Sequence, residues 1–287
     1  MQKYIILFIF SILSLQLSSQ NHRITYEYSF KMDSLNRNLI EKELMNLDIT
    51  QDGSNFYSSG KFVYDSLTSI EEKRAQSMKS HHVDFSKIPL NHKIEYSVTK
   101  KYPNFETKLH TAINGDQFSV LNAGKLNWNI LAQNKEIEGL KAQKATTEFG
   151  GRKWIAWFTT EIAIQDGPYK FSGLPGLILN IEDEKGDHAF KFVGSKKVIA
   201  YPTFNVDSEV KPLEISAKKF TQLWKEYTND PTKKIRQIFS QNSEAKLQMF
   251  DNTGREISRQ EILIMRDQQA KEKLKKNNNF LELSLYQ

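Results

Sequence analysis

The sequence predicts a β-dominated α+β fold: a curved antiparallel sheet with helices mainly from the C-terminal third. Three observations carry this reading. Short segments alternate apolar and polar residues as far as Val193, tight-turn residues separate them, and the spacing becomes helical beyond Ser216. Ile24, Tyr26, Tyr28 and Phe30 alternate with polar residues, as in a half-buried strand. Leu44, Leu47 and Ile49 run toward the Gln51-Asp52-Gly53-Ser54 turn and Phe56-Tyr57-Ser58 follows, so residues 21–64 read as an antiparallel meander. Asp65 or Ser66 is the expected cap of a helix to about Lys79. Short strands are expected at Ile94–Thr99, Thr107–Ile113, Gln117–Leu121 and Leu126–Leu131, with Asn114-Gly115-Asp116 as a hairpin turn.

The central block is densest in strand signals. Residues 140–147 alternate, Arg152–Thr159 is rich in aromatics, and 177–182 and Ala189–Val193 flank the Glu184-Lys185-Gly186-Asp187 turn. Beyond it, Phe220, Leu223, Trp224 and Tyr227 recur at helical spacing, Pro231 starts a helix to about Phe239, and a last helix covers roughly Glu256–Lys276 with a basic end.

Lys3 and the apolar run Tyr4–Leu17, closed by Ser18, Ser19 and Gln20, read as a secretory signal peptide over residues 1–20. A run of about 14 residues is short of the ~20 that a membrane span needs. The expectation is an exported protein, periplasmic or secreted, with no stable membrane span and a single domain over 21–287. The absence of cysteine removes disulfides, thiol catalysis, Cys-based metal sites and lipobox anchoring. The formal charge of +6 is mild and spread over both halves, and no nucleic-acid partner is expected. Anionic surface glycans or phospholipid heads are more natural partners of its lysines than nucleic acid, and a solvated face with no partner explains them better than either.

The hexapeptide Gly173-Leu174-Pro175-Gly176-Leu177-Ile178 holds no acid, base, nucleophile or metal ligand. Its chemistry is shape: Pro175 and Gly176 suit the second and third positions of a type II turn, after which Leu177, Ile178, Leu179 and Ile181 leave as a buried strand. The histidines offer one cluster, His81-His82-Val83-Asp84, whose neighbours point to opposite sides of an extended segment. A zinc site there would need His92 or His110 as well, so no metal is expected. Lys170 stands where a G-x-S-x-G elbow around Ser172 needs glycine, which leaves no serine-hydrolase motif. The carboxylates Glu161, Asp166, Glu182, Asp183, Glu184 and Asp187 cluster in turn-forming contexts, and no catalytic residue or cofactor is assigned. On a strand, Trp154 and Phe158 face one way and Trp157 the other. One side must meet the sheet's core, and the other needs cover from helices, with Phe220, Leu223, Trp224 and Tyr227 the candidates, from a second sheet layer or from a bound apolar ligand.

Gly173–Ile178 resembles the name-giving signature of the GLPGLI family, exported proteins of Bacteroidetes-type bacteria without an established function. Gly139–Thr147, Trp154–Ile162, Gly167–Phe171 and the tail Lys275–Leu283 resemble the other segments of that family, in order. Ala163, Tyr169 and Phe280 stand where proline, tryptophan and proline are usual. The expected role is a non-catalytic envelope module, a carrier or scaffold for an apolar ligand (lipid or peptide) or a partner protein, by analogy of a curved sheet backed by helices with envelope carriers that shelter lipids or lipoproteins. Trp154, Trp157, Phe158, Tyr169 and Phe171 are the candidate ligand-binding residues. The alternative is a hydrolase or metal-dependent enzyme using polar residues near the signature.

Overall fold

The computed structural model describes residues 21–80, 83, 85–122, 124–198, 211–241 and 253–287. Residues 1–20, where a signal peptide is expected, and His81, His82 and Asp84 lie outside them. The strands are β1 (Asn21–Phe30), β2 (Glu41–Ile49), β3 (Gly53–Ser58), β4 (Ser97–Lys101), β5 (Glu106–Ile113), β6 (Asp116–Asn122), β7 (Asn129–Ile137), β8 (Leu140–Phe149), β9 (Arg152–Thr159), β10 (Leu177–Asp183), β11 (His188–Val198) and β12 (Leu213–Ser216). The helices are α1 (Ser59–Ser77), α2 (Ala217–Asn229), α3 (Lys233–Gln241), α4 (Arg259–Lys276) and α5 (Leu283–Tyr286). All twelve strands form one sheet in the order β12-β6-β5-β4-β3-β2-β1-β11-β10-β9-β8-β7. It is antiparallel except where β12 joins β6 in parallel, so the sheet is mixed. Two meanders, β1–β6 and β7–β11, meet where β1 pairs with β11, and Tyr28 stands opposite Phe190.

The sheet is strongly curved. The Tyr169 ring lies 5.4 Å from Tyr96, just before β4, and 6.4 Å from Phe149, the last residue of β8. In a flat sheet the seven strand positions between β4 and β8 would separate these residues by roughly 34 Å. On the inner side the alternation fills a core: Ile24, Tyr26 and Tyr28 are buried with Met45, Leu47 and Phe56. Tyr28 stacks between Phe30 and Phe190, with centroids at 4.6 and 4.2 Å.

Two local expectations change. Helix α1 begins at Ser59, because Ser58 is the cap and its Oγ accepts the Lys61 amide at 2.9 Å. Asp65 is already helical and receives Lys61 Nζ at 2.9 Å, one turn apart. The helical residues proposed to cover β9 pack elsewhere: α2 lies on β5, β6, β12 and α5. Phe220 meets Phe118 and Tyr286, and Trp224 meets Phe280 and Tyr286. By contrast, α4 starts at Arg259, three residues after the expected Glu256, on a full capping box between Ser258 and Glu261.

Candidate functional site

The connection between β9 and β10, residues 160–176, crosses the inner face and ends in the signature hexapeptide. Its anchor is Asp166, wholly buried. One carboxylate oxygen accepts the Gly167 amide at 2.6 Å and Lys100 Nζ of β4; the other accepts Ser54 Oγ of β3 at 2.5 Å and the Tyr102 hydroxyl. Lys100 is buried too, and donates also to the carbonyls of Gly167 (2.7 Å) and Phe171 (3.2 Å). Burial pulls the Lys100 pKa down and the Asp166 carboxylate pushes it up, with burial the larger effect. Every polar atom of this ion pair has a partner, as a charge sealed from water requires. The strand pattern does carry a signal for this lysine: Lys100 follows Val98 by two, which puts it on the apolar side of β4.

The type II turn is replaced by a tighter one. Gly176 N–H donates to the Leu174 carbonyl at 2.8 Å, a γ-turn about Pro175, while Leu177 N–H is committed to the Ile162 carbonyl at 3.2 Å. Gly176 is nearly extended at φ 159°, and its backbone lies so close to β9 that a Cβ there would stand 1.9 Å from the Thr159 carbonyl oxygen. The positive φ falls instead on Gly173, at 91°.

Of the five candidate aromatics, four converge on this connection. Trp154 and Phe171 are fully buried with centroids 4.7 Å apart, Phe158 is buried beside them on β9, and the Tyr169 hydroxyl donates to Glu282 at 3.0 Å. Lys170 donates to the same carboxylate at 2.6 Å. Glu282 belongs to the C-terminal segment, which Arg152 grips through the Phe280 carbonyl (2.7 Å) and the Asn279 side chain (2.6 Å). Residues 160–176 and 279–287 thus supply the cover that the sequence left open between protein and ligand. Trp157 stands on the other face, half-buried, with Lys135 Nζ 4.1 Å and Lys144 Nζ 6.0 Å from its ring centroid. Within the signature, Leu174, Gly176, Leu177 and Ile178 are buried, and Gly173 and Pro175 are exposed.

The carboxylates separate into two groups. Glu161, Glu182 and Glu184 are exposed, whereas Asp183 and Asp187 are buried around Arg152 at 3.0 and 3.4 Å. Among the described residues, no three His, Asp or Glu side chains gather as a metal-ligand set. His92 lies 3.1 Å from Glu95, and His110 bridges Thr99 (2.8 Å) and Ser119 (3.0 Å) across β4, β5 and β6. Asp166, the third buried carboxylate of that cluster, accepts four hydrogen bonds.

His188 makes this core sensitive to pH. It is buried, with Nδ1 2.7 Å from the Tyr28 hydroxyl, and burial, then Arg152, hold its pKa down at about 4. An unfolded chain binds this proton below pH ~6.5 and the folded one does not, so stability should fall as pH drops from ~6.5 toward 4. The expected loss is on the order of 2–3 kcal/mol. Denaturant titrations at pH 7 and pH 4.5 measure it, and His188→Gln, which carries no titrating proton, should flatten the difference.

No helix among the described residues is long and apolar enough to cross a membrane. No curated protein matches the chain. Among solved structures it is similar to PNGF-II in space group C2, with 16% identity, a TM-score of 0.48 and coverage of 70% of this chain and 32% of that one. The P21 form of PNGF-II gives 15%, 0.47, 71% and 33%. The chain therefore spans about a third of the length of the PNGF-II chains. Residues 119–180, which run from β6 through the central strands and the signature hexapeptide into β10, match the model of a family described as a protein of unknown function, Porph_ging.

Proposed function

We propose that the protein is an exported, non-catalytic binding or scaffold module of the cell envelope, a GLPGLI-family domain over residues 21–287 that follows a signal peptide and uses no cofactor. Its ligand or partner docks on the outer face of the sheet at Trp157. One observation carries this reading: of the five candidate aromatics, only Trp157 keeps part of its surface exposed, on the side of β9 opposite Trp154 and Phe158 and on a strand hydrogen-bonded to neighbours on both sides. A rigid sheet holds such a side chain more firmly than a loop would. The interior, where an apolar cargo could be carried, is filled by Tyr169, Phe171 and Leu174 from one segment and Leu281 and Leu285 from another.

The test is equilibrium binding of the mature protein to a panel of an environment-sensitive lipid probe, envelope peptides and surface glycans. A probe that binds should lose about tenfold in affinity or more with Trp157→Ala, as loss of an aromatic anchor does, and the melting temperature should hold. Phe171→Leu should leave affinity alone. The opposite pattern, binding lost with Phe171→Leu and kept with Trp157→Ala, would put the ligand inside the sheet and make the protein a carrier.

A further inference from the structure

The outer face of β8–β11 bears a row of polar and cationic side chains around one partly exposed tryptophan. Strand register sets Lys144 opposite Trp157, Trp157 opposite Asn180, and Asn180 opposite Lys191. These four residues stand in line across four strands, roughly 14 Å at ordinary strand spacing. Lys135 reaches in from β7 and lies over the indole. Lys135 and Lys191 are exposed, and Lys144, Trp157 and Asn180 half-buried. None of the three lysines has an ion-pair partner among the described residues.

Three ammonium groups in so small an area repel one another, and Glu27, the carboxylate opposite Lys191 on β1, is already paired with Lys42 at 2.8 Å. The Lys135 pKa is lowered by burial; Glu182 opposes this, and Lys144 and Lys191 add to it. An arriving anion would relieve that repulsion. Asn180 is oriented as well: its Oδ1 accepts the Phe192 amide at 3.0 Å, which leaves Nδ2 to donate outward. Lys135 is no obstacle, because an exposed cation–π contact contributes only about 0.5–1 kcal/mol and the flexible amine can swing from the ring to a ligand's anion.

We infer that this row is a binding platform for an acidic saccharide, an inference that rests on the outer-face reading above. A pyranose lays its C–H face on the Trp157 indole, its carboxylate or sulfate groups pair with Lys135, Lys144 and Lys191, and Asn180 Nδ2 donates to a sugar hydroxyl. A straight row of aromatic, amide and cations, with one aromatic face and no wider apolar surface among its five side chains, suits a linear chain of charged rings better than it suits a lipid. An acidic peptide would use the lysines but would gain little from a broad indole face.

Polygalacturonate is the probe, with its methyl ester, polyglutamate and phosphatidylglycerol vesicles beside it, read by isothermal titration calorimetry of the mature protein. Polygalacturonate should bind, weaken as salt rises, and lose affinity at least about tenfold both with Trp157→Ala and with the triple change Lys135→Gln, Lys144→Gln, Lys191→Gln. The methyl ester should bind markedly less. Thermal melts of the variants should match the parent. Failure of polygalacturonate to bind, while a lipid or peptide probe binds and depends on Trp157, would overturn the saccharide assignment and keep the outer-face reading. Equal binding of polyglutamate or vesicles, indifferent to Trp157→Ala, would reduce the patch to plain basic charge and overturn both.

Discussion

Asp166→Ala is expected to destabilise the protein by about 3–5 kcal/mol, the usual result of removing one member of a buried, hydrogen-bonded ion pair. For a chain of this size that is a fall of roughly 10 °C in Tm. The change strands the Lys100 ammonium away from water, with only the Gly167 and Phe171 carbonyls left. It also removes the acceptor of Ser54 and Tyr102. The usual remedy of an apolar pair, Lys100→Met with Asp166→Leu, should recover little, because the buried Ser54 hydroxyl and the Gly167 amide would still lack the acceptor that Asp166 supplies. Calorimetry on the single and double variants checks both statements. A double variant as stable as the parent would show that the network contributes no stability, and that residues 160–176 are held by apolar packing alone.

Gly176→Val should cost about 3 kcal/mol or more, at or above the upper end of ordinary overpacking, because the new Cβ must push the Thr159 carbonyl away between two paired strands. Gly173→Ala is the contrast. Gly173 has φ 91°, and a Cβ added there would meet nothing within 4 Å, so alanine incurs only the left-handed penalty of about 1–2 kcal/mol. Melting curves should therefore rank the parent first, Gly173→Ala second and Gly176→Val last. If the two glycine variants melt alike, the close approach of β9 to the signature is not what this glycine serves.

Both results concern residues whose importance is only half legible in the sequence. The hexapeptide announces a backbone requirement through its two glycines and proline, and Gly176 does meet one. What the residues could not reveal is that the requirement comes from Thr159, on the preceding strand, rather than from the turn itself. Likewise Asp166-Gly167-Pro168 reads as turn chemistry, and the Gly167 amide does bond the Asp166 side chain at 2.6 Å. Its other partners, Ser54, Lys100 and Tyr102, come from strands β3 and β4 and the residue just after β4, far earlier in the chain, and local pattern holds no record of them. The candidate aromatics show the same division. Alternation placed Trp154 and Phe158 opposite Trp157, as found, but gave no sign of which side the chain would bury with its own segments.

The sequence by itself determined the β-dominated class, the strands of the central block, the Asn114-Gly115 hairpin between β5 and β6, and the helices after Ser216. Each of these follows from side-chain periodicity or φ preference within a few neighbours. Only the tertiary structure decided that β1 would join β11 and unite two meanders in one curved sheet. It alone decided that residues 160–176 and the C-terminal segment would fill that curve, with Glu282 against Lys170 and Asp166 against Lys100, and leave Trp157 to the outer face. The physical reason is that strand pairing and buried charge pairing join residues far apart in the chain. Their free energy depends on which surfaces meet and on how much water is excluded between them, and neither is a property of a short stretch of residues.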